Sequence, residues 1–139
     1  MKSLSVRLGV ILIGLLILGD AEAWGADWKF IKSDDFSSSY YDAQNIIRPS
    51  KNIIRVWIKR EFTEEYKRKI KGKHGKEFEN SDNDMILLEI NCLEKKSRCL
   101  SLTVYDNKGK LIWSSSSQTK WELIIPESNS EVIYKAVCK

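Results

Sequence analysis

The sequence predicts an α+β domain, with antiparallel strands through the middle of the chain and a helix at its end. Three stretches carry that reading. Residues 84–92 and 98–105 each alternate apolar and polar side chains, the period of a half-buried strand. A short polar connection joins them, so they read as a hairpin. Residues 52–62 alternate in the same way. The last dozen residues instead open on Ser128 and Glu131, a capping-box pair, and continue with Val132, Ile133, Ala136 and Val137 at helical spacing.

Taken in order, the first 23 residues are expected to be an export signal rather than part of the fold. Lys2 and Arg7 precede an apolar run from 8 to 18, and Ala21-Glu22-Ala23 fits a small-x-small cleavage site. The run is shorter than the roughly 20 residues that span a bilayer. The competing reading is an uncleaved N-terminal anchor. No cysteine lies near the cleavage site, so nothing there suggests a lipid. The mature domain is expected over 24–139, soluble or peripherally attached, without an integral membrane segment. Losing Lys2, Arg7, Asp20 and Glu22 leaves the net charge at +4.

Residues 24–31, with Trp28, Phe30 and Ile31, read as a strand that ends at Ser33, Asp34 and Asp35. Residues 37–42, with Tyr40 and Tyr41, read as a second strand, which makes the Asp-rich segment a turn. Asp42 is expected to cap a single helical turn over 42–47, closed by Arg48-Pro49-Ser50. Residues 52–62 then form the longest expected strand. Ile54, Val56, Ile58 and Phe62 take one face, and Ile53, Arg55, Trp57, Lys59 and Glu61 the other. Trp57 between Arg55 and Lys59 reads either as an exposed contact residue or as a ring covered by the two basic stems.

Thr63, Glu64 and Glu65 offer a cap and early acidic charge, followed by Lys67, Arg68, Lys69 and Lys71, so a helix is expected over 63–71. Gly72 and Gly75 stop it. Lys73, His74 and Lys76 extend a cluster of eight basic residues between Lys59 and Lys76, diluted by Glu61, Glu64 and Glu65. This is the one local concentration of charge. It reads as a solvated helix and loop or as a site for a polyanion or protein partner.

In the hairpin, Ile86, Leu88, Ile90 and Cys92 share one face. In the second strand Leu100, Leu102 and Val104 oppose Cys99, Ser101, Thr103 and Tyr105, while Lys95, Lys96 and Ser97 suit a loop. Residues 106–109 form a glycine-bearing turn. Further strands are expected at 110–114 and 121–125, with a polar linker from 114 to 117 between them. At the end, Ser128 and Glu131 are each expected to bond the other's backbone N–H.

An exported chain meets an oxidising compartment, so two of the three cysteines should pair. Phase favours Cys92 with Cys138, because Cys92 points with the core. Cys92–Cys99 across the hairpin is the alternative, although the two predicted faces disagree. One histidine and three unclustered cysteines do not make a zinc set, and no cofactor is expected. No serine or cysteine nucleophile accompanies His74, and Glu89 and Glu122 read as scattered solvent-facing carboxylates, so an enzyme is not expected. A net charge of +4 is modest for a nucleic-acid binder.

Trp28-Lys-Phe-Ile, Ser39-Tyr-Tyr-Asp42 and residues 51–58 resemble the opening of the surface-adhesin protein E family. Residues 88–92, 98–105, 121–126 and 134–138 are similar to its remaining blocks, in the same order. The resemblance implies about six antiparallel strands with a C-terminal helix across one face, and a disulfide between Cys92 and Cys138. It also implies bacterial adhesins that are lipid-anchored, bind host matrix proteins and plasminogen, and can form a homodimer. The expectation is therefore an exported, non-catalytic binding domain of the periplasm or cell surface. It would recognise protein or a polyanion through Arg55, Trp57 and Lys59 together with Lys67, Arg68, Lys69, Lys71, Lys73 and Lys76. The alternative is a structural or regulatory envelope protein that pairs through a sheet edge or Cys99.

Overall fold

The computed structural model describes residues 25–71, 73 and 75–139. The expected signal segment, Trp24, Gly72 and His74 lie outside the described residues. Among the described residues eight strands and two α-helices follow in the order β1 (Trp28–Ser33), β2 (Ser37–Asp42), β3 (Ile47–Ser50), β4 (Ile53–Phe62), α1 (Glu64–Ile70), β5 (Ser81–Asn91), β6 (Lys96–Asp106), β7 (Leu111–Ser115), β8 (Glu122–Leu123) and α2 (Asn129–Val137), with a 3-10 turn at Lys76–Phe78. The sheet is antiparallel throughout. Six strands make its main path, β1-β2-β4-β5-β6-β7, and two short ones hang on it, β3 on β4 and β8 on β6.

One face of the sheet carries the core. Ile54, Val56 and Ile58 of β4 stand opposite Ile90, Leu88 and Ile86 of β5, and Ile31, Ile124, Ile133 and Val137 close over them. Ile54, Val56, Ile90 and Ile133 are at most 1% exposed. Each such side chain contributes on the order of 1.5–3 kcal/mol of burial. These contacts lay α2 across the sheet, and a disulfide between Cys92 and Cys138 fastens its end, with the two Cα atoms 5.5 Å apart. The smaller α1 covers the far end of the same face. Tyr66 stacks edge-on against Phe62 and Phe36, and the N-cap Thr63 hydroxyl donates to Asp35 O at 2.7 Å, tying the helix start to the β1–β2 turn.

Several expectations change here. Residues 43–46 form no helical turn. The Asp42 carboxylate accepts from the backbone N–H of Asp27, Gln44 and Asn45 and from the Asn45 amide, and that turn leads into an extended β3. Pro49 holds Arg48 extended, so 47–50 pairs with β4 instead of closing a helix. Lys96 and Ser97 belong to β6 rather than a loop, because the reversal is completed over residues 92–95, with Lys95 at φ +54. At 11 residues each, β5 and β6 are longer than the 10-residue β4, since β5 starts at Ser81.

The most consequential change is a bulge. Leu87 pairs with Ser101 and Leu88 with Cys99, which leaves Leu100 without a partner. One extra residue reverses the phase of the strand beyond it. Cys99 therefore lies on the core face, opposite Leu88, and not with Ser101 and Thr103. Register, rather than face, keeps it from Cys92, which lies four residues beyond Leu88. At α2, the Ser128 hydroxyl accepts from Glu131 N at 3.2 Å as expected, but Glu131 Oε1 accepts from Glu127 N, not from Ser128 N, which bonds Ile125 O. Val132 is 37% exposed and lies off the buried stripe.

Candidate binding surfaces

Because α1 and α2 both cover one face, the side chains that alternate to the other have no helix above them among the described residues. Trp28, Tyr40, Trp57, Met85, Thr103 and Tyr105 gather there. Lys59 pairs across the sheet with Tyr40 on one side and Met85 on the other. Its Nζ lies 4.7 Å from the centre of the Trp28 ring and 5.5 Å from that of Tyr40, a partly desolvated cation–π position. A shallow depression of about 540 Å³ opens here, lined by Ala26, Trp28, Asp42, Asn45, Trp57, Met85, Thr103 and Tyr105. Trp57 is half-buried and contributes one wall. Asp42 sits at its edge. Burial pushes the Asp42 carboxyl up, but the Asn45 amide and three backbone N–H groups outweigh that and hold it below its ordinary value.

Beside the depression, Arg55, Glu89 and Arg98 stand in one cross-strand row over β4, β5 and β6. Arg55 Nε donates to Glu89 Oε2 at 2.7 Å, and Arg98 donates to Oε1 through Nε at 2.9 Å and Nη2 at 2.7 Å. Arg98 in turn lies 4.4 Å from the Trp121 ring centre. The Glu89 side chain is 3% exposed, so the expectation of a solvent-facing carboxylate is corrected: two arginines close over it. Burial raises its pKa, and the hydrogen bonds and charges of Arg55 and Arg98 lower it further than that, so Glu89 titrates below its ordinary value. Glu122 is exposed, as expected.

The basic residues expected to act together are divided. Arg55, Trp57 and Lys59 point to the open face. Those of α1 lie at the end of the covered face, where Tyr66 anchors the helix on Phe62. Lys67 is held by Asp82 at 2.7 Å and Glu64 at 3.3 Å, and Lys69 bonds Glu65 at 3.4 Å and covers the Phe36 ring. Arg68 and Lys71 have no acidic partner among the described residues. Together with Lys67, Glu64, Glu79, Asn80, Ser81 and Asn107 they line a groove of about 310 Å³. Lys73 and Lys76 are exposed. The eighth cation, Arg60, turns to the covered face and pairs with the buried Asp84.

Sequence reading missed a pocket of about 300 Å³ between α1 and the sheet, lined by Arg60, Phe62, Tyr66, Ile70, Phe78, Ser81, Asp84, Leu102, Val104 and Trp113. The spacing of Phe62, Tyr66 and Ile70 at intervals of four was its one visible signal. Cys99 is a free, half-buried thiol that donates to Ser101 O at 3.2 Å across the bulge, and burial pushes its pKa up. Among the described residues no group of three His, Cys, Asp or Glu is placed to hold a metal ion, and no helix is long and apolar enough to cross a membrane.

The family model described as surface-adhesin protein E matches residues 28–139. No curated protein and no solved structure matches the chain.

Proposed function

This chain belongs to the surface-adhesin protein E family, and from that premise we propose that it is an exported, non-catalytic binding domain of the periplasm or cell surface. In this reading residues 1–23 are the cleaved signal and 24–139 the working domain. The observation that carries it is the sheet face that neither described helix covers, where Trp28 and Tyr40 flank the Lys59 ammonium and Trp28, Trp57 and Tyr105 line the adjoining depression. Aromatic rings joined to a cation suit the hot spots of protein interfaces, which are rich in Trp, Tyr and Arg. The same cation attracts acidic chains.

The partner class is an extracellular protein or an anionic polymer. Matrix protein and heparin, immobilised in turn, are the probes. Binding is expected to weaken with added salt and to fall about tenfold or more in Trp57→Ala, as truncation of an aromatic anchor does. Replacing Lys67, Arg68, Lys69 and Lys71 together by alanine separates the two surfaces. An effect on heparin alone assigns the polyanion to α1 and the protein to the open face. Unchanged binding in both sets of variants removes the reading.

A structural or regulatory envelope protein is the second reading, favoured by one observation. The edge strand β7 exposes Leu111 and Trp113, and an unpaired apolar edge invites a second copy. Sedimentation of wild type and Leu111→Lys tests it: a dimer lost in the variant supports self-association, and a monomer in both rejects it.

A further inference from the structure

The pocket under α1 has the composition of a ligand site rather than of a packing fault. Its walls are apolar, from Phe62, Tyr66, Ile70, Phe78, Leu102, Val104 and Trp113, and its charged members Arg60 and Asp84 neutralise each other. About 300 Å³ is the lower end of small-molecule pockets, roughly 300–1,000 Å³. That accommodates a single short chain and not a two-chain lipid.

Two further observations say what kind of molecule. Ser81 is 3% exposed, and its hydroxyl is buried without a hydrogen-bond partner. An unmet buried hydroxyl costs about 1–3 kcal/mol, a cost that an incoming polar group removes. Ser81 also lines both the apolar pocket and the adjoining charged groove, so it stands where the two meet. In that groove Lys67 is occupied by Asp82 and Glu64. With Glu79 the acidic and basic charges balance, and the two cations left without an acidic partner among the described residues are Arg68 and Lys71.

We propose that this pocket binds a small single-chain amphiphile, its apolar body among Phe62, Tyr66, Leu102 and Val104 and its anionic head beside Ser81, Arg68 and Lys71. The head is a carboxylate or phosphate, and the molecule comes either free or from a single-chain phospholipid. This site lies on the opposite face of the sheet from the Trp28–Trp57 depression, so its occupancy is measured independently of binding there; Arg68 and Lys71 are shared with the α1 surface, and Val104→Trp, inside the pocket, separates amphiphile binding from polyanion binding.

Calorimetric titration of the purified protein with decanoate, decanol and decanoyl lysophosphatidylglycerol tests the assignment below the onset of micelle formation. Saturable binding of decanoate at one site is expected, with decanol weaker. Preference for the lysolipid over decanoate identifies a lipid source, and the reverse a free acid. Val104→Trp, which fills the pocket, is expected to abolish binding. Arg68→Ala with Lys71→Ala should weaken decanoate about fivefold and leave decanol unchanged, as loss of two exposed ion contacts implies. Ser81→Ala should weaken decanoate several-fold without lowering the unfolding midpoint of the free protein, which a purely structural serine would lower. Should Val104→Trp fail to fold, nuclear Overhauser contacts from the decanoate chain to the Trp113 ring in the wild type serve in its place. Absence of saturable binding, absence of those contacts, or decanol binding as tightly as decanoate overturns the proposal.

Discussion

At the scale of single residues, the buried carboxylates set how the molecule responds to acid. Asp42 and Glu89 both titrate in the fold below their ordinary values of 3.8 and 4.5. The unfolded chain therefore takes up these protons first as pH falls. Their stabilisation is complete above about pH 5 and drains away as pH drops through the folded values. The urea midpoint is expected to hold from pH 7 to about 5 and then decline. Glu89→Gln should decline less, because one of the carboxylates whose value the fold lowers is gone. At pH 7 the same variant should lose about 1–2 kcal/mol, less than the value of two fully buried charged hydrogen bonds, since Arg55 and Arg98 are partly exposed and can rehydrate. Unaltered stability at neutral pH would show that the row of three charges contributes nothing net.

At the scale of elements, α2 depends on its first turn. Ser128→Ala is expected to cost about 1 kcal/mol, the usual loss of an N-cap, read as a lower thermal midpoint. Just before it, Glu127 takes φ +66, where a side chain is strained by about 1–2 kcal/mol. Glu127→Gly should relieve part of that strain and raise the midpoint, because the Glu127 groups seen to bond are its backbone N–H and C=O. A lower midpoint would show that the left-handed turn is already well tolerated.

The same scale shows what could be read from the chain beforehand. Strict alternation in 52–62 and 84–92 left one choice of buried face, and the structure buries Ile54, Val56, Ile58, Leu88 and Ile90 accordingly. The capping residues Thr63 and Ser128 marked both helix starts. What escaped was whatever no local pattern encodes. Nothing in Cys99-Leu100-Ser101 announces an extra residue, because a bulge is a relation between two strands. Asp42 was recognised as a capping residue, yet a single carboxylate satisfies a non-helical turn as readily as a helical one. The run of basic residues from 59 to 76 looked like one patch because sequence proximity hides two things: strand alternation puts Lys59 on the open face and Arg60 on the covered one, and the change to helix at Thr63 carries the rest to the end of the covered face.

For the molecule as a whole, the disulfide is the covalent restraint among the described residues, joining positions 46 apart. In the chain-entropy model a loop of that length contributes on the order of 4 kcal/mol. Cys138→Ser, or reduction of the wild type, is expected to lower the denaturation midpoint by an amount approaching that figure. Faster hydrogen exchange should appear first in α2, while β4 and β5, at the centre of the sheet, stay protected. Exchange that quickens equally in both would mean that helix and sheet unfold as one unit.

The Cys92–Cys138 clasp also gives folding a sense of place. The fastening of helix α2 requires an oxidant that a reducing cytosol withholds. For the exported domain proposed above, the chain would cross a translocation pore with this tail unlatched and unravel the more readily for it. Beyond the membrane the latch would shut and hold the completed domain on the far side.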